Sequence, residues 1–258
     1  MDYPTQEHKE AAEAIVEHLS NWPEIEAILL TCSCARGRAT RDSCLDVAAL
    51  VLPGISRQQM DSVQKRWDKC CTSERVFQDL RQVGAYSLAE VEFCDGVFDP
   101  SGHDWTSGPD TFELAIGNIL VYSVPQWERS DYLSTLQRSW LPYYPEHLRQ
   151  QRLEMVLRYC QNNLDHIPLY IERRLYFQSF HRLWNAFGEF LQALFISRRT
   201  YPIAYDKWIK EQVAEILGLP ELYAQLPRLF EIAAFESRDI LRKAEQLRSL
   251  VDRYVPSV

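Results

Sequence analysis

The chain contains no apolar run near the roughly 20 residues of a membrane-spanning helix, so no such helix is expected. Its opening residues, Met1-Asp2-Tyr3-Pro4 and then Gln6-Glu7-His8-Lys9, carry no apolar secretory core. Basic residues are in deficit, 28 Lys and Arg against 36 Asp and Glu, for a net charge of −8. Phosphate binding along a duplex is mostly a Lys/Arg contribution, so no duplex nucleic-acid partner is expected. A small anionic ligand needs only a local basic pocket and stays open. The seven cysteines, an odd number that includes the adjacent Cys70-Cys71, read as reduced cytoplasmic thiols rather than a disulfide framework. Also missing are a Gly-x-x-x-x-Gly-Lys-Ser/Thr loop, a Gly-x-Gly-x-x-Gly turn, a His-Glu-x-x-His helix and a nucleophile elbow. These absences remove P-loop, Rossmann, zincin and hydrolase readings.

What is present is a folding composition. Apolar residues make up 46% of the 258, with 7 Trp, 13 Tyr and 11 Phe, which rules out disorder as the main state. Ala11, Ala12, Ile15, Val16 and Leu19 recur at helical spacing behind a Thr5 cap, and Trp22-Pro23 ends that helix. Two short apolar runs, 25–31 and 45–52, predict buried strands, and 86–93 predicts a third, closed by Asp95-Gly96. Between the second and third, a helical stretch runs from Ser56 to about Leu80, with a break near Thr72-Ser73. Residues 99–110 are a loop, and from Pro145 onward the pattern is amphipathic helix, over 146–163, 167–197, 206–217 and 237–253. The expected class is α+β: a small mixed β-sheet domain with flanking helices over 1–125, then a C-terminal helical bundle over 126–258.

The chemistry-bearing stretch is Leu29-Leu30-Thr31-Cys32-Ser33-Cys34-Ala35-Arg36-Gly37-Arg38, followed by Ser43-Cys44-Leu45-Asp46-Val47. It resembles the signature of nucleotidyltransferases of the DNA polymerase beta superfamily, and within them the kanamycin, streptomycin and lincosamide nucleotidyltransferases. There a strand ends in Gly-Ser, a turn follows, and the next strand begins Asp-x-Asp. A glycine admits the triphosphate to the backbone, and carboxylates two residues apart on a strand share a face, where they hold Mg²⁺. Two such cations align an attacking hydroxyl with the α-phosphorus and neutralise departing pyrophosphate.

The resemblance implies transfer of a nucleoside monophosphate, AMP from Mg·ATP, to a hydroxyl of a small molecule or protein. It assigns Cys32, Ser33, Arg36 and Lys207 to the nucleotide, and Asp46 and Glu92 to the metal. Catalysis falls to Asp46 and Glu92 with Cys44, and Glu90 is the alternative third carboxylate. Cys32 stands where the family has glycine, and Cys44 where it has the first aspartate. A thiol is a poor Mg²⁺ ligand, so the resemblance also implies impaired transfer, or a lapsed module that binds nucleotide or protein.

Cys32, Cys34, Cys44 and Cys94 are expected near common strand ends, but their spacing fits no usual zinc knuckle, and Zn²⁺ is not the expected ion. Lys207 lies in a basic, aromatic segment with Tyr201 and Tyr205, which otherwise reads as a helix start capped by Asp206 with aromatics in the core. Of the histidines, His103 in the 99–110 loop is the one suggestive of a site. Glu146, Glu154, Glu172 and Glu189 read either as an acidic acceptor lining or as an ordinary solvated helix face. The apolar girth of 175–196 suits a core helix or a dimer surface, leaving monomer and homodimer both open.

Overall fold

In the computed structural model, which describes residues 3–256, Thr5 accepts a hydrogen bond from the His8 backbone N–H and caps helix α1 (Gln6–Ser20). The chain continues through strand β1 (Ile25–Leu30), a single helical turn α2 (Cys32–Ala35) and strand β2 (Leu45–Val51). Ser56 and Gln59 form a capping box that starts α3 (Arg57–Ser73). Glu74, in extended backbone, separates it from α4 (Arg75–Arg81), matching the expected break. Strand β3 (Ala89–Cys94) follows. The sheet order is β3-β2-β1-β4, with β1 antiparallel to both β2 and β4, and β2 parallel to β3.

Alternation along these strands decides what faces what. Leu45, Val47, Ala49 and Val51 of β2, with Ala89 and Val91 of β3, join Ile15, Leu19, Trp67, Phe77 and Leu80 in one core. Asp46, Glu90 and Glu92 occupy the intervening positions and take the opposite face. The fourth strand, β4 (Val124–Glu128), escaped the sequence reading. It is five residues long and contains Pro125, which an edge strand tolerates but which weakens any strand signal.

The chain divides into two units. One takes the described residues through Phe98 together with Ile116–Leu141, and the other takes Asp99–Ala115 with the described residues from Pro142 onward. The boundary expected at 125 falls inside β4, so 126–141, including helix α5 (Tyr132–Trp140), belongs with the sheet. The architecture is therefore mixed α+β with a small four-stranded sheet, plus a helical unit.

The helical unit is built on a long antiparallel pair, α6 (Glu146–Glu172) and α7 (Tyr176–Ser197), with α8 (Asp239–Tyr254) against both. The expected helices 146–163 and 167–197 are divided elsewhere: α6 runs through Pro168, and the turn comes at Arg173-Arg174, where Arg174 is left-handed (φ 58°). Residues 99–115 join this unit through a buried charge network. The Arg152 Nη2 donates to Asp110 Oδ1 at 2.6 Å and Glu113 Oε2 at 2.8 Å, and its Nη1 to the Pro100 carbonyl at 3.0 Å. Gln192 Nε2 donates to the same two carboxylates, and Tyr144 donates to Glu113. Arg152 is 1% exposed and Glu113 0%. Truncating one partner leaves two buried carboxylates without their cation, so Arg152→Ala is expected to lower the unfolding free energy by about 3–5 kcal/mol. Urea denaturation of the full chain checks this, and a loss below about 1 kcal/mol would contradict it.

Candidate functional site

The site grows from the link between β1 and β2. Their antiparallel pairing sets Leu30 opposite Val47, and the Thr31 N–H donates to the Asp46 carbonyl at 2.9 Å. The chain then turns sharply: Gly37 N–H donates to Cys34 O and Arg38 N–H to Ser33 O, closing the single turn that carries Ser33 and Arg36. Gly37 has φ +64°, and no neighbour lies where its Cβ would be, so backbone conformation alone calls for glycine there. Cys32 is also left-handed, at φ 52°. The backbone thus takes, at the position where the resembled family has glycine, a shape that glycine adopts without cost.

The return segment is pinned from three sides. Ser87 Oγ donates to the Arg41 carbonyl, the Ala85 N–H to Asp42 Oδ1, and the Arg41 guanidinium to the Val83 carbonyl. A Cβ on Gly84 would stand 2.7 Å from Arg41 O and 2.8 Å from Asp42 Cα, so this crossing needs glycine. His8, fully buried, donates from Nε2 to the Ser43 carbonyl at 2.9 Å while its Nδ1 meets Thr5 Oγ1. That histidine was missed in the sequence, where it looked like one more polar residue of α1. It tethers the residue just before Cys44.

Cys44, Asp46 and Glu90 then converge, with one donor atom of each within 4.8 Å of the others. Two features bring them together. Cys44 and Asp46 are two apart and share a face, and the parallel register pairs Asp46 with Glu90. The same register pairs Glu92 with Ala48. The structure does not bring Glu92, the expected third carboxylate, to Asp46: Glu92 has the same face but lies one pleat farther along, and the alternative, Glu90, is the residue beside Asp46.

The electrostatics are those of a crowded anionic corner. Cys44 Sγ lies 3.2 Å from both Asp46 oxygens, its thiol donating to the carboxylate. Burial, the Asp46 charge and that hydrogen bond push the Cys44 thiol up to about 12. Burial, then Asp46 and Cys32, does the same to Cys34, whose thiol donates to the Cys44 carbonyl at 3.6 Å. Burial and the adjacent Asp46 also raise Glu90 above the usual carboxylate range. Near pH 7 both thiols are protonated, and the two carboxylates repel one another.

The donor set answers which ion fits. Asp46 and Glu90 suit one hard divalent cation, which would relieve their repulsion. A neutral thiol where a third carboxylate is wanted does not suit a second Mg²⁺. Cys94 pairs with Leu50, at the opposite end of the β2–β3 ladder from Leu45 and Cys44, so the four cysteines do not gather.

The remaining sequence candidates lie in the helical unit. Lys207 is exposed on an irregular segment, and its carbonyl accepts from Gln212 Nε2. Tyr201 and Tyr205 are 3% and 6% exposed, as core aromatics are. His103 stacks on Tyr159. The four glutamates have separate surroundings: Glu146 pairs with Arg149 and Arg199, Glu154 with Arg158, and Glu189 accepts from Asn163 inside the core, while Glu172 ends α6.

Because a left-handed non-glycine residue costs about 1–2 kcal/mol, part of which glycine returns as unfolded-state entropy, Cys32→Gly is expected to stabilise the chain by about 0.5–1 kcal/mol. Paired denaturation curves measure it, and destabilisation would contradict the strain.

No protein-family model matches the chain, and no curated protein matches it. Among solved structures it is similar to that of a nucleotidyltransferase-like protein from Exiguobacterium sibiricum 255-15. Identity is 14%, the match covers 95% of this chain and 74% of that one, and the TM-score is 0.45. The arrangement of Cys44, Asp46 and Glu90 stands on its own geometry.

Proposed function

We propose that the sheet unit is a nucleotidyltransferase-like module that binds a nucleoside triphosphate, ATP being the expected one, and in which nucleotidyl transfer is impaired. The turn carrying Ser33 and Arg36 supplies the Ser33 hydroxyl and, at its start, the backbone N–H groups of Ser33 and Cys34, which suit phosphate oxygens, while the N–H groups of Arg36, Gly37 and Arg38 close the turn itself. Asp46 and Glu90 would hold one Mg²⁺, which when bound supplies charge neutralisation at the phosphates. Asp46 and Glu90 concentrate negative charge in this corner, so a triphosphate enters it only together with a cation.

The observation that carries the reading is the thiol of Cys44 donating to Asp46. An aspartate at position 44 would add negative charge there and complete a two-cation site. The thiol instead adds a proton donor and occupies the Asp46 oxygens. Loss of one carboxylate from a two-metal site removes several kcal/mol of transition-state stabilisation, on the order of 10² to 10⁴ in rate. The acceptor in this reading is a hydroxyl of a small molecule, as in the antibiotic-modifying enzymes whose turn the sequence resembles, or of a protein.

Pyrophosphate release from Mg·ATP tests the proposal. Cys44→Asp is expected to raise it on the order of 10²-fold or more over wild type, and Asp46→Ala in that background to abolish the gain. A Cys44→Asp protein that stays folded, binds ATP and releases pyrophosphate no faster than wild type would overturn the view that the thiol limits transfer.

A further inference from the structure

A second cluster of donors lies elsewhere in the sheet unit. His18, in the last turn of α1, Cys70, in the last turn of α3, and Glu74, at the α3–α4 junction, bring an imidazole nitrogen, a thiol and a carboxylate oxygen within 4.8 Å of one another. Cys70 and Glu74 are four residues apart, the spacing that puts two side chains on one side of a helix. His18 reaches them from 52 residues earlier in the chain, delivered by the packing of α1 on α4 and of α3 on α4.

We propose that His18, Cys70 and Glu74 bind a borderline divalent cation of the Zn²⁺ type, which would tie the end of α1 to the α3–α4 junction. The mixed nitrogen, sulfur and oxygen donor set selects the ion. Zn²⁺ takes all three donors, whereas Mg²⁺ and Ca²⁺ decline thiolate. One donor atom of each side chain lies within 4.8 Å of the other two, so a single ion could meet all three. Tetrahedral coordination at the usual Zn²⁺ bond lengths sets donor atoms roughly 3.3–3.7 Å apart, a closure within reach of rotations about the His18 and Glu74 side-chain bonds.

The adjacent cysteine has a different role. Cys71 is buried, its thiol lying 3.9 Å from the Ala89 carbonyl with the Arg81 guanidinium 3.8 Å from its sulfur. Consecutive helical residues point about 100° apart, so one thiol of the pair serves the core while the other is half-buried beside His18. The fourth coordination position would fall to water. On binding, the Cys70 thiol proton goes to solvent as the sulfur–metal bond forms. The site is independent of the nucleotide reading, which concerns Cys44, Asp46 and Glu90.

Titration of the reduced, metal-free full chain with Co²⁺ tests the proposal, because a thiolate ligand gives cobalt a near-ultraviolet charge-transfer band. The expected result is a band saturating at about one equivalent and displaced by Zn²⁺. Cys70→Ser should abolish the band, and His18→Ala and Glu74→Gln should each weaken binding by roughly tenfold or more. Cys44→Ser should leave it unchanged. Zn²⁺ should raise the thermal midpoint of wild type but not of Cys70→Ser, which reads the site without cobalt. Absence of the band, or a band that survives Cys70→Ser and disappears in Cys44→Ser, would overturn the assignment.

Discussion

The parallel pairing of β2 with β3 is the constraint on which the site depends. It sets Asp46 directly beside Glu90 and Ala48 beside Glu92, and nothing local to either strand could do so. A slip of one residue would turn both glutamates to the opposite face, against the α1–α3–α4 core. A slip of two would bring Glu92 to Asp46 instead. The apolar residues that alternate with the acids, Val47 with Val91 and Leu45 with Ala89, hold the register from the buried side. The core on one face thus dictates the chemistry on the other.

That chemistry departs from the resembled pattern at two positions. Cys32 keeps the left-handed backbone of a glycine while carrying a side chain, and Cys44 keeps an aspartate's place while presenting a proton. A hydrogen bond to a charged group is worth roughly 1.5–3 kcal/mol net, and a thiol, as a weak donor, gives the lower end of that range. It partly offsets the repulsion between Asp46 and Glu90, which a divalent cation would offset far more strongly. In the function proposed above, Asp46 and Glu90 are the two carboxylates that would hold the cation of a metal-bound phosphate.

The locally encoded parts were legible in the sequence. The Thr5 cap, the first three strands, the Thr72-Ser73 break and the turn ending at Gly37 all follow from short patterns, and so does the shared face of Cys44 and Asp46. What was not legible depends on contacts between distant segments. The choice between Glu90 and Glu92 needed the β2–β3 register. The place of 99–115 in the helical unit needed Arg152, whose charge demanded the carboxylates of Asp110 and Glu113 in the core. His8 has the pattern of one more polar helix residue, and only the contact of its ring with the Ser43 carbonyl distinguishes it. The strand at Val124–Glu128 was hidden by its proline and its shortness.

Calorimetric titration of the full chain with ATP, with and without Mg²⁺, tests the register-built site most directly when run on wild type, Glu90→Gln and Glu92→Gln. The expected result is Mg²⁺-dependent binding that weakens by roughly tenfold or more in Glu90→Gln, as removal of a metal-ligand charge should cause, and is unchanged in Glu92→Gln. No ATP binding by wild type, or a loss caused by Glu92→Gln and not by Glu90→Gln, would contradict it.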